Sequence, residues 1–201
     1  MGYTSDCKLK YEGKSYTGKA LLETEYLEFK GALRLKIPFK SITAAALEKT
    51  ALQIKFDGRS ALFEIGAEAE KWLQKILHPK SLLDKLGVKP EHKVCALKID
   101  DTNFLNDLEK RAPNLTRRLS SECDVIFLGA DQESALATLD RCRASLKKEG
   151  AIWIVNPKGQ KDFNENHVLA AGKKAGLVDV KVVKFSETHT AHRFVIPKAQ
   201  R

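Results

Sequence analysis

CDVIFLGADQESALATLDRCRASLKKEGAIWIVNP, residues Cys123 to Pro157, decides the fold class. CDVIFLG is an apolar, β-branched run of strand length. Asp131 offers a helix N-cap. Ala135, Leu139, Cys142 and Leu146 then follow at helical spacing on one face. Gly150 stands where a C′ glycine would stop that helix. AIWIV is a second fully apolar strand. Two such strands joined by a helix predict neighbours in a parallel sheet covered on both faces.

Working outward from that stretch, the 201 residues have room for one large domain or two small ones. Residues 5 to 65 read as about seven short strands. Cys7, Leu9 and Tyr11 alternate with Lys8 and Lys10. Leu52, Ile54 and Phe56 alternate with Gln53 and Lys55, and Asp57-Gly58 turns the chain back into SALFEIG as a hairpin. After Gly66, the residues Ala69, Trp72, Leu73, Ile76 and Leu77 form a helical stripe that Pro79 ends. The domain boundary is placed there, giving 1–79 and 80–201.

In the second part KVCALKI is a buried strand. DDTNFLNDLEKRAP is a helix with Phe104, Leu105 and Leu108 inward, and NLTRRLS is a short edge strand. ENHVLAAGKKAG is a helix, and LVDVKVVKF and HTAHRFVIP form an antiparallel hairpin across SETHT, which is too short for a parallel crossover.

The apolar content of 43% supports real cores, and 30% charged residues is ordinary for a soluble chain. No apolar run reaches membrane-spanning length. The N-terminus has no apolar signal region and does not fit the myristoylation pattern, so a cytoplasmic protein is expected. The four cysteines, Cys7, Cys95, Cys123 and Cys142, form no C-x-x-C pair and read as buried thiols.

The net charge of +9 is spread over both halves. It favours phosphate-rich partners in general. No run of adjacent Lys and Arg marks a nucleic-acid footprint, however, and no aromatic platform sits among basic residues.

Two family resemblances follow from these elements. Seven strands closed by one amphipathic helix, over residues 3 to 78, resemble the pleckstrin-homology and GRAM-type barrel. That resemblance implies a phosphate site at Lys8, Lys10, Lys14 and Lys19. This stretch contains no arginine, and the same lysines read equally as the solvent face of edge strands.

In the second part, Leu139 to Pro157 with its SLKKEGAIWIVNP resembles the fourth-strand region of class I S-adenosylmethionine methyltransferases. The ending AGLVDVKVV…HRFVIP resembles that fold's last hairpin. SLLDKLGVKP, WIVNPK and the ending also resemble a small bacterial family of unknown function with a shortened methyltransferase-like fold, over residues 80 to 197. The fold implied is a three-layer Rossmann-like domain, its sheet mostly parallel with a terminal antiparallel hairpin.

The departures from the methyltransferase pattern bear on function. The turn after the first strand reads KIDDTNF and has no glycine, although glycine lets the backbone approach a nucleotide cofactor. Asp100 and Asp101 there read as a loop and helix cap. No cofactor is expected in the usual manner.

HTAH places His189 and His192 on opposite faces of a strand, which does not suit a metal pair. Ser186, Glu187 and His189 lack the elbow motif of a hydrolase.

The family resemblance singles out Lys158, Glu187, Thr188 and Arg193 as ligand-binding candidates. In one reading Lys158 and Arg193 form an anion site that Glu187 orients. In the other, Glu187 and Arg193 pair across the hairpin, Thr188 caps its turn and Lys158 is solvated. The expected function is a non-catalytic binding or regulatory protein with an anionic ligand or a protein partner. The alternatives are a methyltransferase with an altered cofactor site and a nucleic-acid-associated basic protein.

Overall fold

A computed structural model describes residues 2–201. The chain forms two compact units, Met1–Lys80 and Ser81–Arg201.

The first unit holds β1 (Tyr3–Tyr11), β2 (Lys14–Leu22), β3 (Tyr26–Gly31), β4 (Arg34–Pro38), β5 (Ile42–Glu48), β6 (Ala51–Phe56), β7 (Arg59–Glu64) and α1 (Glu68–Leu77). Alternation drives the strands. Cys7, Leu9 and Tyr11 are buried while Lys8 and Lys10 are exposed. Glu12-Gly13 and Asp57-Gly58 each turn the chain with positive φ at both residues, the backbone that a two-residue hairpin requires. The core gathers Leu9, Phe29, Ile54 and Phe63 with Ala69, Trp72 and Ile76 of α1. Leu77 lies outside this stripe and is exposed.

The strand order is β4-β3-β2-β1-β7-β6-β5, every junction antiparallel. This corrects the expected barrel. The two edges, β4 and β5, are not paired with each other, so the sheet is a half-barrel rather than a closed one. Between them the chain passes through Pro38 and a single 3-10 turn, Phe39–Ser41. Proline lacks the N–H that a ladder would need.

The second unit holds α2 (Leu82–Leu86), β8 (Val94–Leu97), α3 (Thr102–Arg111), β9 (Leu115–Thr116), β10 (Cys123–Gly129), α4 (Leu139–Ala144), β11 (Leu146–Pro157), α5 (Glu165–Lys174), β12 (Val178–Lys184) and β13 (His189–Val195). Its sheet runs β12-β13-β11-β10-β8-β9. β10 is parallel to β8 and β11, and β8 is parallel to β9. β13 is antiparallel to β11 and β12.

The expected three-layer Rossmann-like domain with a mostly parallel sheet is therefore overturned: the sheet is mixed. One parallel strand, β9, is only 2 residues long, and the longest ladder is the antiparallel one from Ala151↔Val195 to Pro157↔His189. The cause lies in the spacing. Between Leu97 and Cys123 the chain fits one helix and β9, so the parallel portion stays short.

The helix expected after Asp131 is also corrected. It breaks into a 3-10 stretch, Glu133–Thr138, and a six-residue α4. Gly150 ends no helix, because β11 already begins at Leu146. A Cβ on Gly150 would lie 2.7 Å from the Leu146 side chain and 3.0 Å from the Asp124 carbonyl oxygen.

β10 and β11 alternate between two cores. Ile126, Leu128, Ile152 and Ile154 enter one with Val168 of α5. Val125, Phe127, Trp153 and Val155 enter the other with Phe104 and Leu108 of α3. Trp153 Nε1 donates to Leu86 O at 3.0 Å, which satisfies the indole at the end of α2. On the outer edge, β12 exposes Val178, Val180 and Val182, each about half accessible. Its ladder is interrupted by a bulge between Asp179 and Lys181. No described helix is long and apolar enough to cross a membrane.

Gly129 is the most closely approached glycine of the chain. An added Cβ would stand 1.8 Å from the Lys98 carbonyl oxygen. Gly129→Ala forces backbone apart and is expected to lose about 2–3 kcal/mol of stability in urea unfolding. An unchanged midpoint would mean that the two strand ends separate freely.

Candidate functional site

In an open sheet with parallel strands, ligands sit outside the carboxyl ends at the point where strand order reverses. Here that point lies between β8 and β10. From β8 the chain steps outward to β9, then returns to β10 on the other side.

The residues at that edge come from three places. β10 ends at Gly129, followed by Ala130 and Asp131. β11 ends at Asn156, Pro157 and Lys158. The β12–β13 hairpin brings Ser186 to His189 beside them, because His189 is the register partner of Pro157.

The hairpin turn is closed by side chains. Ser186 Oγ accepts from the backbone N–H groups of Thr188 and His189, at 3.2 and 3.0 Å. Lys158 ties this turn to the sheet. Its backbone N–H donates to Thr188 O at 2.8 Å, and its Nζ donates to Ser186 O at 2.6 Å and Glu187 O at 3.3 Å. Glu187 accepts from Lys184 at 2.6 Å. Thr188 Oγ1 lies 2.9 Å from His189 Nδ1, and His189 Nε2 lies 3.4 Å from Asp131 Oδ1. With the proton on Nε2, His189 donates to Asp131 and accepts from the Thr188 hydroxyl, so Asp131 orients the imidazole.

The structure thus gathers Lys158, Glu187 and Thr188 in one turn. Arg193 is not with them. It stands opposite Trp153 and Lys181, about 13 Å along the strand from His189. The expected Glu187–Arg193 pair does not form, since the Glu187 carboxylate is with Lys184 instead. Lys158 is exposed at its head, but its ammonium bonds two carbonyls rather than water alone.

Three residues at or near this edge escaped sequence reading. Asp131 was expected as a helix cap. Asn156 and His192 are buried polar side chains on one face of β11 and β13, at register positions Asn156↔Thr190 and Ile154↔His192. Asn156 Oδ1 and both His192 ring nitrogens have no hydrogen-bond partner among the described residues. Asn156 shows no sequence signal, because it simply extends an apolar run. HTAH did set His192 apart from His189.

At the switch point the two strand ends lie close together. Lys98 adopts φ 53°, and its carbonyl occupies the space beside Gly129. Arg117 donates to Ile99 O at 2.8 Å, and Asp101 caps α3 by accepting from Phe104 N at 2.9 Å. So both ends of the KIDDTNF turn are held by the protein's own groups. A groove of about 720 Å³ borders the end of this turn, lined by Asp101, Asn103 and Phe104 together with Leu82, Leu83 and Lys110 among others. Among the described residues no group of three His, Cys, Asp or Glu side chains is placed to hold a metal.

In the first unit the expected phosphate lysines are dispersed. Lys10 pairs with Glu64 at 2.6 Å, and Lys19 stands across from Asp6.

No protein-family model and no curated protein sequence matches the chain. Its structural neighbours include S-adenosylmethionine methyltransferases and a pleckstrin-homology domain. A SAM-dependent methyltransferase from Aquifex aeolicus is 14% identical, with 58% of this chain and 88% of that chain covered and a TM-score of 0.48. The pyocyanin biosynthetic protein PhzM is 9% identical, with 65% and 59% covered and a TM-score of 0.48. The N-terminal PH domain of the human ARAP2 protein is 12% identical, with 40% and 83% covered and a TM-score of 0.32.

Burial holds the His192 pKa below its ordinary 6.5, although Asp179 and Glu165 pull the other way. The unfolded chain therefore takes up a proton near pH 6.5 that the folded chain refuses until lower pH. Stability falls as pH drops below about 6.5 and levels off below the folded pKa. His192→Leu is expected to flatten the urea midpoint between pH 7 and 5 relative to the parent. An identical slope in both proteins would show that His192 does not titrate differently on folding.

Proposed function

We propose that the chain is a non-catalytic binding or regulatory protein. Its second unit offers the Lys158–hairpin turn to an anionic ligand or to a partner carrying one. The close approach at the switch point is the observation that carries the first part. A nucleotide-type cofactor needs backbone free to approach it at the end of the first parallel strand. Here the Lys98 carbonyl lies against Gly129, and Arg117 and Asp101 hold the rest of the turn.

The second part is supported by the donors that converge at the turn. The Lys184 ammonium and the Thr188 hydroxyl belong to the hairpin beside His189, and the Lys158 ammonium reaches its turn from the end of β11. Glu187 modulates this charge by pairing with Lys184. Arg193 plays no part in it.

Calorimetric titration of the full chain with S-adenosylmethionine is expected to give no binding heat up to about 1 mM. A micromolar Kd would replace this reading with that of a methyltransferase whose cofactor site is altered. The anion site is tested separately, by following amide shifts while inorganic phosphate is added. Shifts are expected at Lys158 and at Ser186 to His189, and Lys158→Gln should abolish them. A parent protein without such shifts would remove the hairpin as an anion site.

A further inference from the structure

A different pair of side chains sits at the opposite end of β10. Cys123 opens that strand, and Cys95 lies on the neighbouring β8. Their sulfurs are 2.7 Å apart, closer than two non-bonded thiols normally pack and a small motion from the roughly 2.05 Å of a disulfide. Both are fully buried. No sequence spacing advertises the pair, because the two cysteines meet only where β8 packs beside the start of β10, with Cys95 in register with Ile126.

The surroundings of the two sulfurs differ. Cys95 Sγ lies 3.4 Å from Thr116 Oγ1 and 3.4 Å from Ser120 Oγ. Cys123 Sγ donates to the Ser120 carbonyl at 3.1 Å. The Thr116 hydroxyl gives its proton to Arg118 O, so Ser120 Oγ is the hydroxyl open to donate to Cys95, while a carbonyl acceptor faces Cys123. Burial pushes both thiols up. At Cys95 the polar contacts with Cys123, Ser120 and Thr116 outweigh it and lower the pKa, whereas Cys123 is pushed up to about 11. The pair therefore sets the more acidic thiol beside the less acidic one, the division of labour that thiol oxidation requires.

The cover over the pair is thin. β9 is 2 residues long, held to β8 only at Val94↔Leu115 and Cys95↔Thr116. Residues 117–122, which follow it, form no helix or strand, and Ser121 and Glu122 are exposed. A short edge strand with few partners is where local opening begins.

We infer that Cys95 and Cys123 form a redox-active dithiol that a small hydroperoxide converts to a disulfide joining β8 to β10. The Cys95 thiolate attacks one peroxide oxygen and breaks the O–O bond. With hydrogen peroxide the other oxygen leaves as hydroxide and takes up the proton that the Cys95 thiol released, giving water, and Cys95 becomes a sulfenic acid. Cys123 then attacks the Cys95 sulfur and loses its proton to the departing hydroxide, giving a second water. Two thiols and one hydrogen peroxide thus yield one disulfide and two waters. Cys7 and Cys142, which burial pushes up to about 12 and about 11, serve as internal controls.

The full chain is treated with hydrogen peroxide, unfolded in N-ethylmaleimide, and measured by intact mass and peptide mapping. The expected result is two maleimides fewer than in the reduced protein and a linked Cys95–Cys123 peptide that dithiothreitol reverses. The disulfide should also raise Tm by about 5 °C or more, because it closes a long loop. Labelling of all four thiols after peroxide would overturn the inference. So would irreversible addition of oxygen, or a link through Cys7 or Cys142. In Cys123→Ser a dimedone adduct is expected at Cys95. An adduct at Cys123 of Cys95→Ser, with none in Cys123→Ser, would reverse the assigned roles and defeat the mechanism. Should either variant fail to fold, the mapping of the parent protein decides alone.

Discussion

The second unit depends on one close approach, the Lys98 carbonyl against the bare Cα of Gly129. It keeps the chain leaving β8 close beside the end of β10 before it turns into α3. The same approach lies at the place where a sheet of this kind ordinarily receives a ligand. The strand ends are therefore locked to each other, and polar chemistry moves sideways to β11 and the terminal hairpin. Asn156, Lys158, Thr188 and His189 collect there because the antiparallel pairing of β13 with β11 sets Pro157 opposite His189.

How much of this was legible in the sequence varies with the kind of signal. Alternation is local, so Cys7-Leu9-Tyr11 and Leu52-Ile54-Phe56 announced their strands and their buried faces. Turns with both residues at positive φ announced themselves through glycine at Gly13 and Gly58. The apolar runs CDVIFLG and AIWIV were likewise plain. The helical reading between them was not, because Ala135, Leu139, Cys142 and Leu146 fit a helix by spacing alone. Tertiary packing instead split that segment and drew Leu146 into β11. Whether the first sheet closes, and how the second divides between parallel and antiparallel ladders, are non-local matters. No residue pattern encodes that β4 and β5 remain edges.

The candidate site was legible only in part, for the same reason. Glu187 and Thr188 share a short hairpin turn, which is local, while Lys158 reaches it through the long-range pairing of β11 with β13. Arg193 was grouped with them by resemblance, but the pleat and the length of β13 carry it away. Asp131 and the Cys95–Cys123 pair were invisible. Each acquires its neighbour through strand pairing between distant segments, and each taken singly reads as a cap or a small hydrophobe.

The valine-lined edge strand β12 bears on how the chain is made. Its sole partner in the sheet is β13, which follows it in sequence. During synthesis VDVKVVK therefore emerges before anything can cover its ladder, with Val178, Val180 and Val182 available to any other extended chain. The bulge after Asp179 and the charges of Lys181 and Lys184 interrupt the flat apolar template that such pairing needs. Features that look like irregularities in the finished sheet thus guard a nascent chain against joining its neighbours while it waits for its last strand.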